Sequence, residues 1–230
     1  MAIEAVIFDL DGTLANFNLD YKTLRVEVRN HLHARGVPAS VISARESIFE
    51  MLQKAEVFFR NATKSDEAFI EVQKEALAIA EKFEVEAAAC TSLMPGTYDM
   101  LKTLKQMGIR LGLCTINSQK AANNILQRFQ IAGFFDAVVP RDQVKRVKPN
   151  PEHFEATLKA LKAHPENTLV IGDSIVDMQS AKDIKAVAVG IPTGTAKMEQ
   201  LTRSGANYII TAISDLPLLV QKINKEKEEN

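Results

Sequence analysis

Cysteine is scarce in this chain of 230 residues: Cys90 and Cys114 are the only two, far apart and in no metal-ligand spacing. A disulfide-stapled scaffold is therefore excluded, and both residues read as reduced thiols, Cys114 as a small apolar residue of a strand. Charge of one sign is lacking too. The 28 Lys and Arg against 29 Asp and Glu leave a formal net charge of -1. No basic field is available to attract nucleic acid or an anionic membrane. Long hydrophobic runs are missing: none approaches the roughly 20 residues that cross a bilayer. The start shows neither the basic opening nor the small-residue cleavage site of a signal peptide, and Asp9 interrupts its apolar stretch. The expectation is a cytoplasmic protein that meets neither nucleic acid nor membrane. Nor is there a G-x-S-x-G serine elbow or a Walker-type phosphate loop. His31 and His33 stand two apart, which on a helix sends them to different sides.

What is present is an ordinary globular composition, 46% hydrophobic and 25% charged, in a chain long enough for one large domain or one with a smaller companion. The stretch "AVIF" (5–8) has no polar alternation, as suits a strand buried on both faces of a parallel sheet. From about residue 95 short apolar runs alternate with amphipathic stretches. "IRLGLCT" (109–115), "DAVVP" (136–140), "TLVIGD" (168–173), "AVAVGI" (186–191) and "NYII" (207–210) are the strand candidates. Pro95 and Pro151 stand near helix starts, and Gly108 suits a helix end. This alternation predicts an α/β fold with a doubly wound parallel sheet. Residues 17–91 differ. Only Gly36 and Pro38 break them, and their apolar residues fall at helical spacing, with helix-start signals at Thr63 with Asp66 or Ser65 with Glu67. The predicted organisation is a core of residues 1–16 and 92–230, with a smaller all-helical domain at 17–91 inserted after the first strand.

Polar residues gather where these strands end. Asp9 and Asp11 follow the first, Thr115 and Asn117 the second, and Asp173 and Asp177 the fourth, while Lys148 lies in the Pro-rich "RVKPNPEHF". Open parallel sheets place ligands at the carboxyl ends of their strands. Acids, a lysine and a hydroxyl collected there form a balanced site for Mg²⁺ and a phosphate dianion.

"DLDGT", "CTIN", "KPNP" and "GDSIVD", in that order and spacing, resemble the four motifs of the haloacid dehalogenase-like hydrolase superfamily. The resemblance covers the predicted core. The helical insertion is similar in position to that superfamily's four-helix cap, as in phosphoglycolate phosphatase and β-phosphoglucomutase relatives. The resemblance implies a Mg²⁺-dependent phosphatase that hydrolyses a small phosphomonoester through an aspartyl-phosphate. Asp9 would be the nucleophile, and Asp11 the general acid and later the base. Asp9, Asp11 through its carbonyl, and Asp173 would hold the metal. Thr115, Asn117 and Lys148 would meet the phosphate, and Asp177 would assist from behind or orient Lys148.

Some residues depart from the family pattern. Ile116 stands where asparagine often follows the threonine directly, so the reach of Asn117 to the phosphate stays open. "DGTLANF" replaces the frequent "DGTLVDS", which weakens a phosphoglycolate assignment. A dehalogenase or a phosphonate hydrolase would lack Asp11. The alternatives are a β-phosphoglucomutase-like mutase, against which Thr13 leans, and a non-catalytic phospho-accepting or binding protein. Tyr21, Arg25, Arg29, Phe58, Phe59 and Arg60 are the guesses for substrate contacts from the insertion.

Overall fold

The computed structural model describes residues 2–16, 18–62 and 66–228. It divides into two compact units, Met1–Phe17 with Thr91–Asn230, and Asn18–Cys90.

The smaller unit is helical: α1 (Tyr21–Ala34), α2 (Ile48–Asn61) and α3 (Asp66–Cys90). Asp20 caps α1 by accepting from the Thr23 N–H at 3.1 Å. Ser47 and Glu50 close a reciprocal capping box on α2; such a cap is worth about 1 kcal/mol. Leu24, Val28 and Leu32 of α1 meet Met51, Leu52, Ala55 and Phe59 of α2 and Phe69, Val72, Ala76 and Ala80 of α3 in one core. Their spacing of three and four residues is the apolar stripe that a helix presents to its neighbours. The resemblance implied four helices, and the described residues form three. Residues from Gly36 to Ser47 make turns, while the 25 residues of α3 run without a breaker. The helix-start signals at Thr63 and Ser65 fall outside the described residues. Phe59 belongs to the core, its ring 6.0 Å from that of Phe58 and 5.9 Å from that of Phe69.

The larger unit holds a parallel sheet of β1 (Ala5–Phe8), β2 (Arg110–Thr115), β3 (Ala137–Pro140), β4 (Thr168–Gly172), β5 (Val187–Gly190) and β6 (Tyr208–Ile209). Their order is β3-β2-β1-β4-β5-β6. All four residues of β1 are buried, and Ala5 pairs with Arg110 on one side and Thr168 on the other. A strand without polar alternation belongs in this central position. The last candidate, "NYII", shortens to two residues because it is the edge, where β5 alone offers ladder bonds.

Six helices accompany the sheet: α4 (Thr97–Gln106), α5 (Gln119–Arg128), α6 (Glu152–Leu161), α7 (Ile175–Asp183), α8 (Met198–Arg203) and α9 (Leu216–Glu228). On one face Ile7, Cys114 and Val170 pack against Phe154 and Leu158 of α6 and Met178 and Ala181 of α7. On the other, α4 covers β2 and α9 packs on α4. Helices on both faces make the sheet doubly wound. The chain runs outward from β1 through β2 to β3, then returns to β4 on the opposite side of β1. That reversal opens a crevice beyond the carboxyl ends of β1, β2 and β4.

His153 of α6 is fully buried beneath β3, its Nε2 3.0 Å from the Val139 carbonyl. Burial, helped by the nearby Lys148 ammonium, pushes its pKa down to about 4. The folded ring stays neutral where the unfolded one, with an ordinary pKa near 6.5, takes a proton. Its contribution is therefore complete above pH 6.5 and is lost as pH falls towards 4. Denaturant titrations across that window should show His153→Gln lacking a decline of about 3 kcal/mol that the native chain carries. Parallel stability curves for the two proteins would show that the ring carries no such penalty.

Candidate active site

β1 delivers Asp9 into the crevice, and the Asp9 N–H continues the ladder by donating to the Ile171 carbonyl at 2.9 Å. The chain then turns sharply, with the Leu14 and Ala15 N–H groups both donating to the Leu10 carbonyl at 2.9 Å. Gly12 sits in this turn at φ +81°, a conformation that L side chains rarely adopt. A Cβ there would lie 2.7 Å from Cγ of Asp173, and one on Gly194 would lie 2.0 Å from Asp173 Oδ2. The two glycines thus leave the space that the Asp173 carboxylate fills. The same carboxylate oxygen accepts from the Thr195 N–H at 2.6 Å and its hydroxyl at 3.1 Å. Thr193 ties the loop to the first turn by donating to the Gly12 carbonyl at 2.5 Å.

Lys148 is the hub. Its ammonium donates to Asp9 Oδ1 at 2.7 Å, to Asp177 Oδ1 at 2.6 Å and to the Cys114 carbonyl at 3.2 Å. These bonds match the three donors an ammonium has. The other Asp177 oxygen accepts from the Ser174 hydroxyl at 2.5 Å and its N–H at 3.2 Å, which caps α7. Asp9, Lys148, Asp173 and Asp177 are all buried, with three carboxylates set against one ammonium. Burial pushes Asp9 up to about 7 against the pull of Lys148, with Asp177 and Asp173 adding repulsion. Asp173 is pushed up to about 6, by burial first and Asp177 second. Burial opposes the charge on Lys148, but Asp177 and Asp9 outweigh it and hold its pKa well above the ordinary value.

Thr115 ends β2, and its hydroxyl accepts from the Asn117 N–H at 3.2 Å. The Asn117 side-chain amide donates to Asp11 Oδ2 at 2.6 Å. Ser118 caps α5 through the Ala121 N–H at 3.2 Å. The structure therefore gathers all seven residues picked out from the sequence around one sheet edge. Ser174, Gly194 and Thr195 also build it. The serine three places before Asp177 is a readable capping signal, and Gly194 and Thr195 belong to "VGIPTGTAK" (189–197), which reads from the sequence as a strand-to-helix loop bordering the site.

Carboxylate oxygens of Asp9, Asp173 and Asp177 lie within 4.8 Å of one another. Such hard, anionic donors suit a divalent cation that prefers oxygen. Asp177 is already committed to Lys148 and Ser174, so Asp9 and Asp173 are the pair with donor capacity for a metal.

The family model described as haloacid dehalogenase-like hydrolase matches residues 3–185, a span that includes Asp9, Asp11, Thr115, Asn117, Lys148, Asp173 and Asp177. The chain belongs to that family. Among relatives of the haloacid dehalogenase-like hydrolases, "Pyrophosphatase PpaX" of Bacillus mycoides is 27% identical over 225 residues, covering 97% of this chain and all of its own. The fold is shared with solved structures. A β-phosphoglucomutase from Clostridium difficile superposes with a TM-score of 0.68 at 23% identity, covering 99% of this chain and 100% of its own. A predicted phosphoglycolate phosphatase from Haemophilus somnus does so with 0.65 at 21% identity, covering 95% and 98%. Among the described residues, no helix is long and apolar enough to cross a membrane.

Removing one partner of a buried ion pair leaves the other charge uncompensated, at a cost of about 3 to 5 kcal/mol. Lys148→Met should therefore lower unfolding free energy by about that amount in chemical denaturation. Adding Asp177→Asn to it should recover part of the loss by removing one stranded carboxylate. A double variant no more stable than the single one would show that Lys148 does not act through this pair.

Proposed function

We propose that this hydrolase is a Mg²⁺-dependent phosphatase that cleaves a small phosphomonoester through an aspartyl-phosphate on Asp9. The carrying observation is the buried ammonium of Lys148 shared between Asp9 and Asp177 beside Asp173, at the carboxyl edge of a parallel sheet. The names of the relatives, a pyrophosphatase and a phosphoglycolate phosphatase among them, fit phosphoryl chemistry.

Asp9 and Asp173 would hold the metal, together with the Asp11 carbonyl that the resemblance assigns to it. Bound there, Mg²⁺ would supply charge neutralisation for the carboxylates and the phosphoryl oxygens. Lys148 pulls Asp9 towards its ionised, nucleophilic form against the burial that favours the neutral one. Thr115 and Lys148 offer donors to the phosphoryl oxygens. An Asp9 oxygen bonds to phosphorus as the ester P–O bond breaks, and the leaving oxygen takes its electron pair and the proton of Asp11. A water then attacks the phosphorus and gives its proton to Asp11. The Asp9–phosphorus bond breaks, which returns both side chains to their starting state. The helical unit, Asn18–Cys90, takes the part of a cap that discriminates among substrates. Its location in the cell is proposed to be the cytoplasm.

Chelation tests the metal. EDTA should abolish hydrolysis of p-nitrophenyl phosphate and Mg²⁺ should restore it; full activity in excess chelator sinks the reading. Asp9→Asn should lower turnover by about four orders of magnitude and leave no phosphoenzyme detectable by mass spectrometry. Phosphate on any other residue would reassign the nucleophile. A panel of phosphorylated metabolites with inorganic pyrophosphate included should change in rank order when residues of 18–90 are substituted, with p-nitrophenyl phosphate spared. An unchanged ranking would take discrimination away from the helical unit.

A further inference from the structure

We infer that Asn117 is a positioning residue for Asp11, aiming its carboxyl at the leaving-group oxygen, and that Arg141 holds Asn117 in place. The inference rests on the phosphatase reading of Asp9 and Asp11 and deepens it.

Asp11 is asked to give a proton and later take one, both at the same oxygen position. It is half-buried in the turn after β1 and is not among the carboxylates that cluster as metal donors. Its fixed contact is the Asn117 amide, at 2.6 Å from Oδ2. That is a short bond for N–H···O. Asn117 is itself 6% exposed, so few rotamers are open to it. Its own N–H is tied to the Thr115 hydroxyl at 3.2 Å, which joins the Asp11 partner and the phosphate-facing hydroxyl in one rigid corner.

Arg141, at the end of β3, fixes this corner from the side away from Asp11. Its guanidinium donates to the Ile116 carbonyl at 3.0 Å, and its backbone N–H donates to the Asn117 carbonyl at 3.2 Å. The next residue, Asp142, accepts from the Gln119 N–H at 2.5 Å. Main-chain groups on both sides of Asn117 are thereby stapled to the β3 end. Arg141 is 4% exposed, a costly place for a charge unless it is compensated, and the Ile116 carbonyl and Asp142, whose Oδ1 lies 3.9 Å from its Nε, face it. With Ile116 standing between Thr115 and Asn117, the asparagine amide falls where it bonds to Asp11.

Positioning the proton donor matters only when the leaving group needs a proton. Nitrophenolate leaves unaided, whereas an alkoxide does not. Asn117→Ala should therefore lower kcat/KM for an alkyl phosphate about tenfold more than for p-nitrophenyl phosphate, with inhibition by inorganic phosphate unchanged. Asn117→Asp keeps the shape but sets a carboxylate against Asp11, and should show a split at least as large. Arg141→Lys keeps the charge but loses the planar fork, and should show the same split at smaller size. Thermal unfolding of each variant separates these effects from loss of fold. If the wild type forms phospho-Asp9 and Asn117→Ala loses both substrates equally, or loses affinity for phosphate, the positioning role is overturned alone. If the wild type forms no phospho-Asp9, the role falls together with the reading beneath it.

Discussion

One ammonium organises this site. Lys148 sits almost out of water with Asp9 and Asp177 both within 2.7 Å of its nitrogen. An ion triad in such a place is favourable only when each remaining lone pair and proton also finds a partner. The chain meets this demand with main-chain and hydroxyl groups from three segments: the Cys114 carbonyl at the β2 end, the Ser174 cap of α7, and the ladder bond of Asp9 to β4. Loops after β1, β3 and β4 are thereby locked to one another through a single nitrogen.

The arrangement holds opposing forces in balance. Burial drives Asp9 towards its neutral form, and Lys148 pulls it back. Asp173 lies beyond the reach of any Lys148 hydrogen bond given by the structure and takes its support from Thr195 and from the bare Cα atoms of Gly12 and Gly194. The surplus of negative charge over positive is what makes the edge receptive to a divalent cation. Fold and chemistry are coupled here, because the carboxylates that crowd one another at this edge are the ones a cation would relieve.

Much of this was legible before any coordinates. Each motif residue closes an apolar run, and parallel strands with right-handed crossovers bring their carboxyl ends to one edge. The family resemblance of "DLDGT" and "GDSIVD" needed no tertiary information. What could not be read depends on pairs remote in sequence. Asn117 meets Asp11 across 106 positions, and neither residue's neighbours say so. Arg141 in "VVPRDQ" looks like an ordinary surface arginine, and its burial follows only from where β3 lies beside β2. Among the described residues the helical unit forms three helices where the resemblance implied four, because position and composition do not tell a long helix from two short ones. The β6 run shrank because its apolar residues say nothing about how many ladder partners an edge strand finds.

The central place of β1 has a further consequence. Its two neighbours, β2 and β4, begin at Arg110 and Thr168, each on the far side of the Asn18–Cys90 unit. The strand that leads into Asp9 is synthesised before either sheet partner exists. Until β2 has followed, "AVIF" has no sheet partner, and its other side stays an open apolar edge until β4 arrives. Closing such distant pairings costs loop entropy before any contact repays it, which slows folding and leaves the nascent chain open to misassociation. The sheet around β1 is complete only when β4 joins its second side.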